Sequence, residues 1–456
     1  MTETAQDDAA EVRVRQWLER ELHGNVLSIV RQDRWRPAWF AEVDVAGERH
    51  AIYVRGHRGG RYRDLTTLAQ EADILRILGA NDVPVPRIYG MIEHPQAIVM
   101  SRLPGRVNLA TADSDAARDS ILDQYIEAMR RMHDIDVAAF ATIGLPVPSG
   151  KSDIALIMYQ RAYDSYRLAK TAPNPMIEFM WRWLQRNYPR DRERRALIQA
   201  DSAQFCFDGS RLTGLIDFEA AYVGDPCAEF AAMRIRDCEE RLGDVASLAR
   251  KYEAATGDRI TKDAVEFHTA GWALVTPMQW EDAVRNPAPG DSWLEYFIWY
   301  VGVGRWGLEA IAEVLGTSLP VIEEPQSSPS SPFTRAVYPH LLSVLDEWPR
   351  GNDYDNFRAA SARSVATFAS RLHQYGPGLE QQDIDEISTI LGRRQLDLPT
   401  AEAALEEFVL SADPDQDPAL TQYFHLWTQR QQFLVRGIGA RHERLIHIAP
   451  QPIPQM

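Results

Sequence analysis

The residues best placed to do chemistry lie in one run, residues 197–219: Leu-Ile-Gln-Ala-Asp-Ser-Ala-Gln-Phe-Cys-Phe-Asp-Gly-Ser-Arg-Leu-Thr-Gly-Leu-Ile-Asp-Phe-Glu. Gly224-Asp225-Pro226 follows shortly after. Asp201 comes just after a short apolar strand, a turn at Asp208-Gly209 closes a hairpin, and Asp217 ends the next apolar strand. A carboxylate that follows buried strand residues cannot be buried unpaired, so it faces a pocket, a metal or a cation. Two such acids flanking one hairpin can face a common site. Phosphoryl transfer needs that combination, one acid to orient a hydroxyl and one to hold magnesium against phosphates.

Several elements must position these acids. Residues 11–22 have helical spacing, and strand-like runs follow at 26–30, 39–45 and 50–55, the last ended by Gly56 to Gly60. A helix fits 65–78, with Leu68, Ala72, Leu75 and Leu78 on one face. Val83-Pro84-Val85-Pro86 stops it, and two more strands fit 88–92 and 97–100 before Pro104-Gly105. Three strands, a helix and two strands make a small α+β lobe. From about residue 113 the pattern is helical, clearest at 116–133, 153–170 and 175–187. It breaks once for the hairpin and resumes from 228 to about 316.

The 197–226 segment resembles the catalytic core of aminoglycoside phosphotransferases and choline-kinase-like enzymes. Their pattern runs His-Gly-Asp, a short loop ending in Asn or Gln, a hairpin, Ile-Asp-Trp/Phe-Glu, then Gly-Asp-Pro. The resemblance implies that Asp201 is the catalytic base, Asp217 the main magnesium ligand, Gln204 a second metal-side ligand and Asp225 a structural acid. It extends, in order, to Arg55 as the cation that contacts ATP phosphates and Glu71 as its partner. Val83-Pro84-Val85-Pro86-Arg87 resembles a conserved turn of the family. The run Ile98 to Gly105, with Met100 and Arg102, is similar to its hinge, where adenine meets backbone. Met132-His133-Asp134 matches the end of the helix before the substrate region. The likeness covers roughly residues 25–315. It implies a two-lobed, protein-kinase-like fold and an ATP- and magnesium-dependent enzyme that phosphorylates a small-molecule hydroxyl.

The sequence departs from that pattern in three places. His-Gly-Asp is Gln199-Ala200-Asp201, and Asp201 and Gln204 are three apart where the family has five. Cys206 holds the five-apart position, a poor choice for a hard cation. The first hairpin has no glycine between Val26 and Ala46 to let backbone amides cradle phosphate. Arg31, Arg34 and Arg36 at its tip read either as a surface charge group or as a phosphate clamp. The rival expectation from these departures is a catalytically impaired kinase-like protein that binds nucleotide or serves as a scaffold. His133 reads as structural, Cys206 and Cys227 as buried thiols, and Trp293, Tyr296, Phe297 and Tyr300 as core.

The chain has 456 residues, a formal net charge of −16, 45% apolar and 25% charged residues, which is ordinary for a globular chain of two or three folding units. An acidic surface disfavours nucleic acid and anionic membrane, leaving a small-molecule acceptor as the expected partner. Three cysteines without metal spacing suggest a reducing compartment, and a polar N-terminus suggests no secretory signal, so the expected location is cytoplasmic. The expected division is a nucleotide-binding lobe at 1–104, a helical lobe at 105–323, a Pro/Ser-rich linker at 324–333, and a separate helical bundle at 334–456. Within that bundle, helices fit 353–374, 383–391, 400–410 and 418–435. The first puts Phe357, Val365, Phe368 and Leu372 on one face.

Overall fold

The structure is a computed structural model that describes residues 3–32, 36–57, 65–288, 291–328, 331–348, 353–438, 445 and 448–453. Arg34, the rest of the hairpin tip at 33–35, and the 58–60 part of the expected strand ending lie outside the described residues. The N-terminal lobe runs α1 (Glu3–Leu22), β1 (Asn25–Arg31), β2 (Ala38–Val45), β3 (Glu48–Gly56), α2 (Leu68–Ala80), β4 (Ile88–Ile92) and β5 (Ala97–Ser101). Its strands form one antiparallel sheet in the order β1-β2-β3-β5-β4. Alternate residues Trp39, Ala41, Val43, Ile52 and Val54 go inward and pack with Val14 and Leu18 of α1. Helix α2 starts where a capping box dictates: Thr67 accepts from the Gln70 amide, and Gln70 returns the bond. Its buried face, Leu68, Ala72, Leu75 and Leu78, meets Ile98 and Met100 of β5.

The chain leaves β5 through Gly105, whose φ is +89°. A Cβ there would lie 2.0 Å from the Phe207 carbonyl, so only glycine fits. Arg106 and Phe207 then exchange two backbone hydrogen bonds of 2.9 Å, pinning the lobe connection to the hairpin at 205–215. The second lobe contains α3 (Asp115–His133), α4 (Ala138–Ala141), α5 (Lys151–Ala169), α6 (Pro175–Asn187), β6 (Ala196–Ile198), β7 (Phe205–Asp208), β8 (Arg211–Leu215) and β9 (Tyr222–Gly224). Then follow α7 (Cys227–Glu240), α8 (Val245–Thr256), α9 (Lys262–Arg285) and α10 (Trp293–Leu315). Strand β7 pairs with β8 as the expected hairpin, and β6 pairs with β9. The fold is therefore the expected two-lobed α+β architecture. No helix among the described residues is long and apolar enough to cross a membrane.

Beyond the Pro/Ser-rich stretch come α11 (Pro332–Asp346), α12 (Asp353–Leu391), α13 (Leu398–Ser411) and α14 (Asp417–Val435). Two of the expected helices are one. Helix α12 runs unbroken for 39 residues through Gly376-Pro377-Gly378, because Phe368 before that triplet and Leu379 after it are both buried in the same core. That core is shared with the second lobe: Leu405, Val409, Phe424 and Leu434 belong to one cluster with Phe179, Trp183 and Trp306. Phe179 stacks on Phe424 at 5.5 Å, and Phe368 meets Trp293 at 5.2 Å and Phe297 at 5.4 Å. Lys170 pairs with Glu406 at 2.6 Å and Arg186 with Asp417 at 2.6 Å. Helices α12, α13 and α14 thus cover apolar faces of α6 and α10.

Candidate active site

The floor of the cleft is built by the sharp turns on either side of β7 and β8. Ala200 (φ +76°), Ala203 (φ +62°) and Asp217 (φ +66°) all sit in left-handed backbone, a conformation that costs about 1–2 kcal/mol for a residue with a Cβ. A buried polar network holds them there. The Gln199 side chain, fully buried, donates to the carbonyls of Gln204 at 3.0 Å and Ile216 at 2.6 Å, and accepts from the Tyr125 hydroxyl at 3.2 Å. It therefore ties the Asp201 loop to the Asp217 loop. Glu229 of α7 accepts from the Gln199 amide at 2.7 Å and from the Ser202 hydroxyl, while His133 lies 3.4 Å from the same carboxylate and 2.7 Å from the Tyr252 hydroxyl. His133 is structural, as its sequence context suggested.

On this support the expected site residues come together. The Gln204 side-chain amide donates to a carboxylate oxygen of Asp201 and, at 3.0 Å, to one of Asp217. Arg55, at the end of β3, reaches Glu71 at 3.2 Å, Asp217 at 2.6 Å and Glu219 at 2.9 Å. Burial opposes the charge on Arg55, but those three carboxylates hold it protonated well above its usual range. Burial also raises the Glu71 carboxyl, with Arg55 opposing the shift. The side chain of Asp201 remains 37% exposed, at the cleft. Burial raises its carboxyl above the ordinary value, and Arg236 works against that rise.

Met100 and Arg102 lie apart from the acids, on the inter-lobe edge. Met100 is buried in β5, and the Arg102 guanidinium sits 4.0 Å over the Phe40 ring. The backbone amides of Ser101 and Arg102 are already bonded to Arg87 and Ala51, at 2.8 and 2.9 Å. Asp225 is fully buried and is held by Arg192 at 2.8 Å, the Cys227 amide at 3.0 Å and His268 at 3.4 Å. Burial alone would raise its carboxyl, yet His268 and Arg192 keep it well below the usual range. Burial pushes the Cys206 thiol up to about 11, so it stays a neutral thiol.

Sequence reasoning missed two participants, Glu219 and Arg236, and left the setting of a third, Arg36, open. Glu219 stands inside the Ile-Asp-Phe-Glu motif and bridges Arg55 and Arg36; its nearness to Asp217 was the available signal. Arg36 is neither a surface charge nor a free clamp: it is 3% exposed and paired with Glu219. Arg236, on α7, pairs directly with Asp201, and nothing local in the sequence announces it.

Residues 42–268 match the phosphotransferase enzyme family. This part of the chain is a phosphotransferase-family domain. The match spans both acid loops, Arg55 and Glu71, and ends inside α9, leaving α10 to α14 outside it. No curated protein matches the chain. Among solved structures, the chain is similar to a protein of Ralstonia eutropha described as an aminoglycoside phosphotransferase, at 17% identity and TM-score 0.49. That alignment covers 66% of this chain and 97% of the other. A macrolide 2'-phosphotransferase of Brachybacterium faecium aligns at 16% identity and TM-score 0.44, over 61% and 99% of the two chains. Aminoglycoside 2'-phosphotransferase-IIIa, solved with GDP, aligns at 17% and 0.45, over 64% and 98%.

Proposed function

We propose that the protein is an ATP- and magnesium-dependent phosphotransferase that phosphorylates a hydroxyl of a small molecule. The observation that carries this reading is the convergence of Asp201 and Asp217, bridged by one Gln204 amide, beside an arginine anchored by Glu71. The residues fit a magnesium ion. Asp217 and the Gln204 amide oxygen are hard donors, and the ion would share Asp217 with Arg55, which now pairs with it. Asp217 and Gln204 would hold the ion, which supplies positive charge against the phosphates when bound.

The chain's own residues perform the rest. Asp201 accepts the hydroxyl proton as the acceptor oxygen bonds to the γ-phosphorus; the bond from that phosphorus to the β-bridging oxygen breaks, and ADP leaves. Arg55, held in direction by Glu71, presents its guanidinium to phosphate oxygens. A purine at the inter-lobe edge would use backbone groups beyond Arg102, since the amides of Ser101 and Arg102 are already bonded within the sheet. Calorimetry with ATP, with and without magnesium, tests the reading. The parent should bind in a magnesium-dependent way and Asp217→Ala should not; unchanged affinity in the folded variant would sink the metal assignment.

A specific observation also favours the rival reading of a catalytically impaired nucleotide binder: Arg236 engages Asp201, the residue that must accept the proton. An acceptor screen scored by ADP release separates the two. Turnover that drops about 10²-fold or more in Asp201→Asn supports the enzyme. ATP binding with no phosphoryl transfer to any acceptor, slow hydrolysis included, supports the rival.

A further inference from the structure

Helix α11 has no buried residue along its 15 positions. It leans on α12 with Thr334, Tyr338, Leu342 and Leu345, all half-buried, and is fastened there by a Tyr338–His373 ring contact at 6.0 Å and an Asp346–Arg363 pair at 2.7 Å. The adjacent arc of the helix surface is apolar and bare. Phe333 is 86% exposed, Val337 55%, Leu341 41%, Val344 42% and Trp348, just past the helix, 59%. At 3.6 residues per turn these five positions fall within about 80° of one another. Nothing charged interrupts them. Near the Trp348 end, Leu345, Trp348, Asp355, Arg358, Ala359 and Ala362 line a groove of about 480 Å³ between α11 and the start of α12.

We propose that this face is a symmetric dimer interface and that its occupant is a second copy of this chain. Two observations favour that occupant. The first is area. With the half-exposed Phe357 and Val365 of α12, the bare side chains present roughly 700 Å², taking about 150–250 Å² for a whole aromatic side chain. A standard interface takes about 800 Å² from each partner. The second is self-complementarity. Phe333, the most exposed large side chain of the stripe, and Trp348, at the groove, are equidistant from the midpoint between His340 and Leu341. A two-fold axis crossing α11 there makes the helices antiparallel. It seats Phe333 of each copy against the Trp348 groove of the other and sets Val337 beside Val344. In such an isologous contact every knob meets its hole twice, and two helical hairpins close a four-helix arrangement. An anionic membrane is the poorer occupant, because Asp346, Glu347 and Asp355 border the stripe on a chain of net charge −16.

The test uses the full chain in sedimentation equilibrium. The parent should sediment at twice the chain mass at micromolar concentration. Leu341→Glu and Phe333→Glu should each weaken association at least tenfold, with unchanged far-ultraviolet circular dichroism and melting, since neither side chain is buried. Position is tested by cysteine cross-linking. Leu341→Cys, beside the axis, should give a disulfide-linked dimer on mild oxidation. Phe333→Cys should not, because the two copies of that residue would lie about 22 Å apart, 15 residues along the helix. A monomer at all concentrations, a dimer indifferent to Leu341→Glu, equal cross-linking at both positions, or recruitment to anionic vesicles without self-association would each overturn the proposal.

Discussion

Gln199 is the most informative single residue to perturb, because its amide is the tie between the two acid loops. Gln199→Leu keeps most of the volume and removes the hydrogen bonds, which separates lost bonding from cavity formation. The cost follows from who else serves each partner. The Gln204 carbonyl keeps a second donor, the Ile216 amide at 3.1 Å, so it loses little. The Ile216 carbonyl loses the 2.6 Å bond from Gln199, and the buried Tyr125 hydroxyl loses its acceptor while still receiving the Ala203 amide at 2.7 Å. Two orphaned buried groups at about 1–3 kcal/mol each give a loss of about 2–6 kcal/mol. In urea unfolding followed by tryptophan fluorescence, that would lower the midpoint by roughly 0.7–2 M for an m-value near 3 kcal/mol/M. Tyr125→Phe added to Gln199→Leu should cost less than the sum of the two, because the stranded hydroxyl is then gone. A Gln199→Leu protein within about 0.5 kcal/mol of the parent, a typical surface-substitution effect, would refute the claim that this amide holds the loops together.

Three further outcomes are expected. Arg236→Ala should raise the Asp201 carboxyl further, because removing a cation disfavours the charged form; the acid limb of the pH–rate profile should move to higher pH, and an unmoved limb would separate Arg236 from the base. Asp225 has a depressed folded-state pKa, so its contribution is full above the unfolded value near 4 and is lost as pH falls below it through the folded value; Asp225→Asn should lose about 1.5–3 kcal/mol at pH 7, the worth of a charge-assisted hydrogen bond, since Arg192 keeps its second carboxylate, Asp258, and should show a flatter acid limb in stability against pH. A chain ending near residue 324 would bare the faces of α6 and α10 now covered by Phe424, Leu405 and Phe368, so it should aggregate or bind 1-anilinonaphthalene-8-sulfonate strongly, whereas a soluble, cooperatively melting fragment would restore the idea of an independent C-terminal bundle.

The small lobe was legible because its signals are local. Alternation marks β2 and β3, Val-Pro-Val-Pro ends α2, and Thr67 with Gln70 marks where α2 begins, a capping box that explains why the helix starts three residues later than periodicity alone suggests. The sheet order was not legible, since the pairing of β3 with β5 joins strands 40 or more residues apart through contacts no window contains. The C-terminal helices failed for a related reason. Gly376-Pro377-Gly378 is a strong local stop, and tertiary burial on both sides overrides it. The same burial turns an amphipathic bundle, self-sufficient by pattern, into a cover for the second lobe.

Arg55, Glu71, Asp201, Gln204 and Asp217, singled out through the family resemblance, lie in one bonded cluster in the fold. Arg236 and Glu229 are supplied by α7, a helix whose sequence carries only ordinary amphipathic charges, so chemistry-bearing motifs could not reveal them. The altered loop is where the two kinds of information meet. At Ala200 the backbone needs a positive φ, and a residue with a Cβ pays for it at about 1–2 kcal/mol. Asp217 shares that conformation at lower cost, because a short polar side chain tolerates it. A loop two residues shorter than the pattern it resembles can stay in register only if something else fixes its ends. Gln199 does so by clamping both acid loops from beneath, and Glu229 by clamping Gln199 and Ser202 from α7. A histidine's two ring nitrogens could not donate to both carbonyls and also accept from Tyr125, whereas the one buried Gln199 amide does all three.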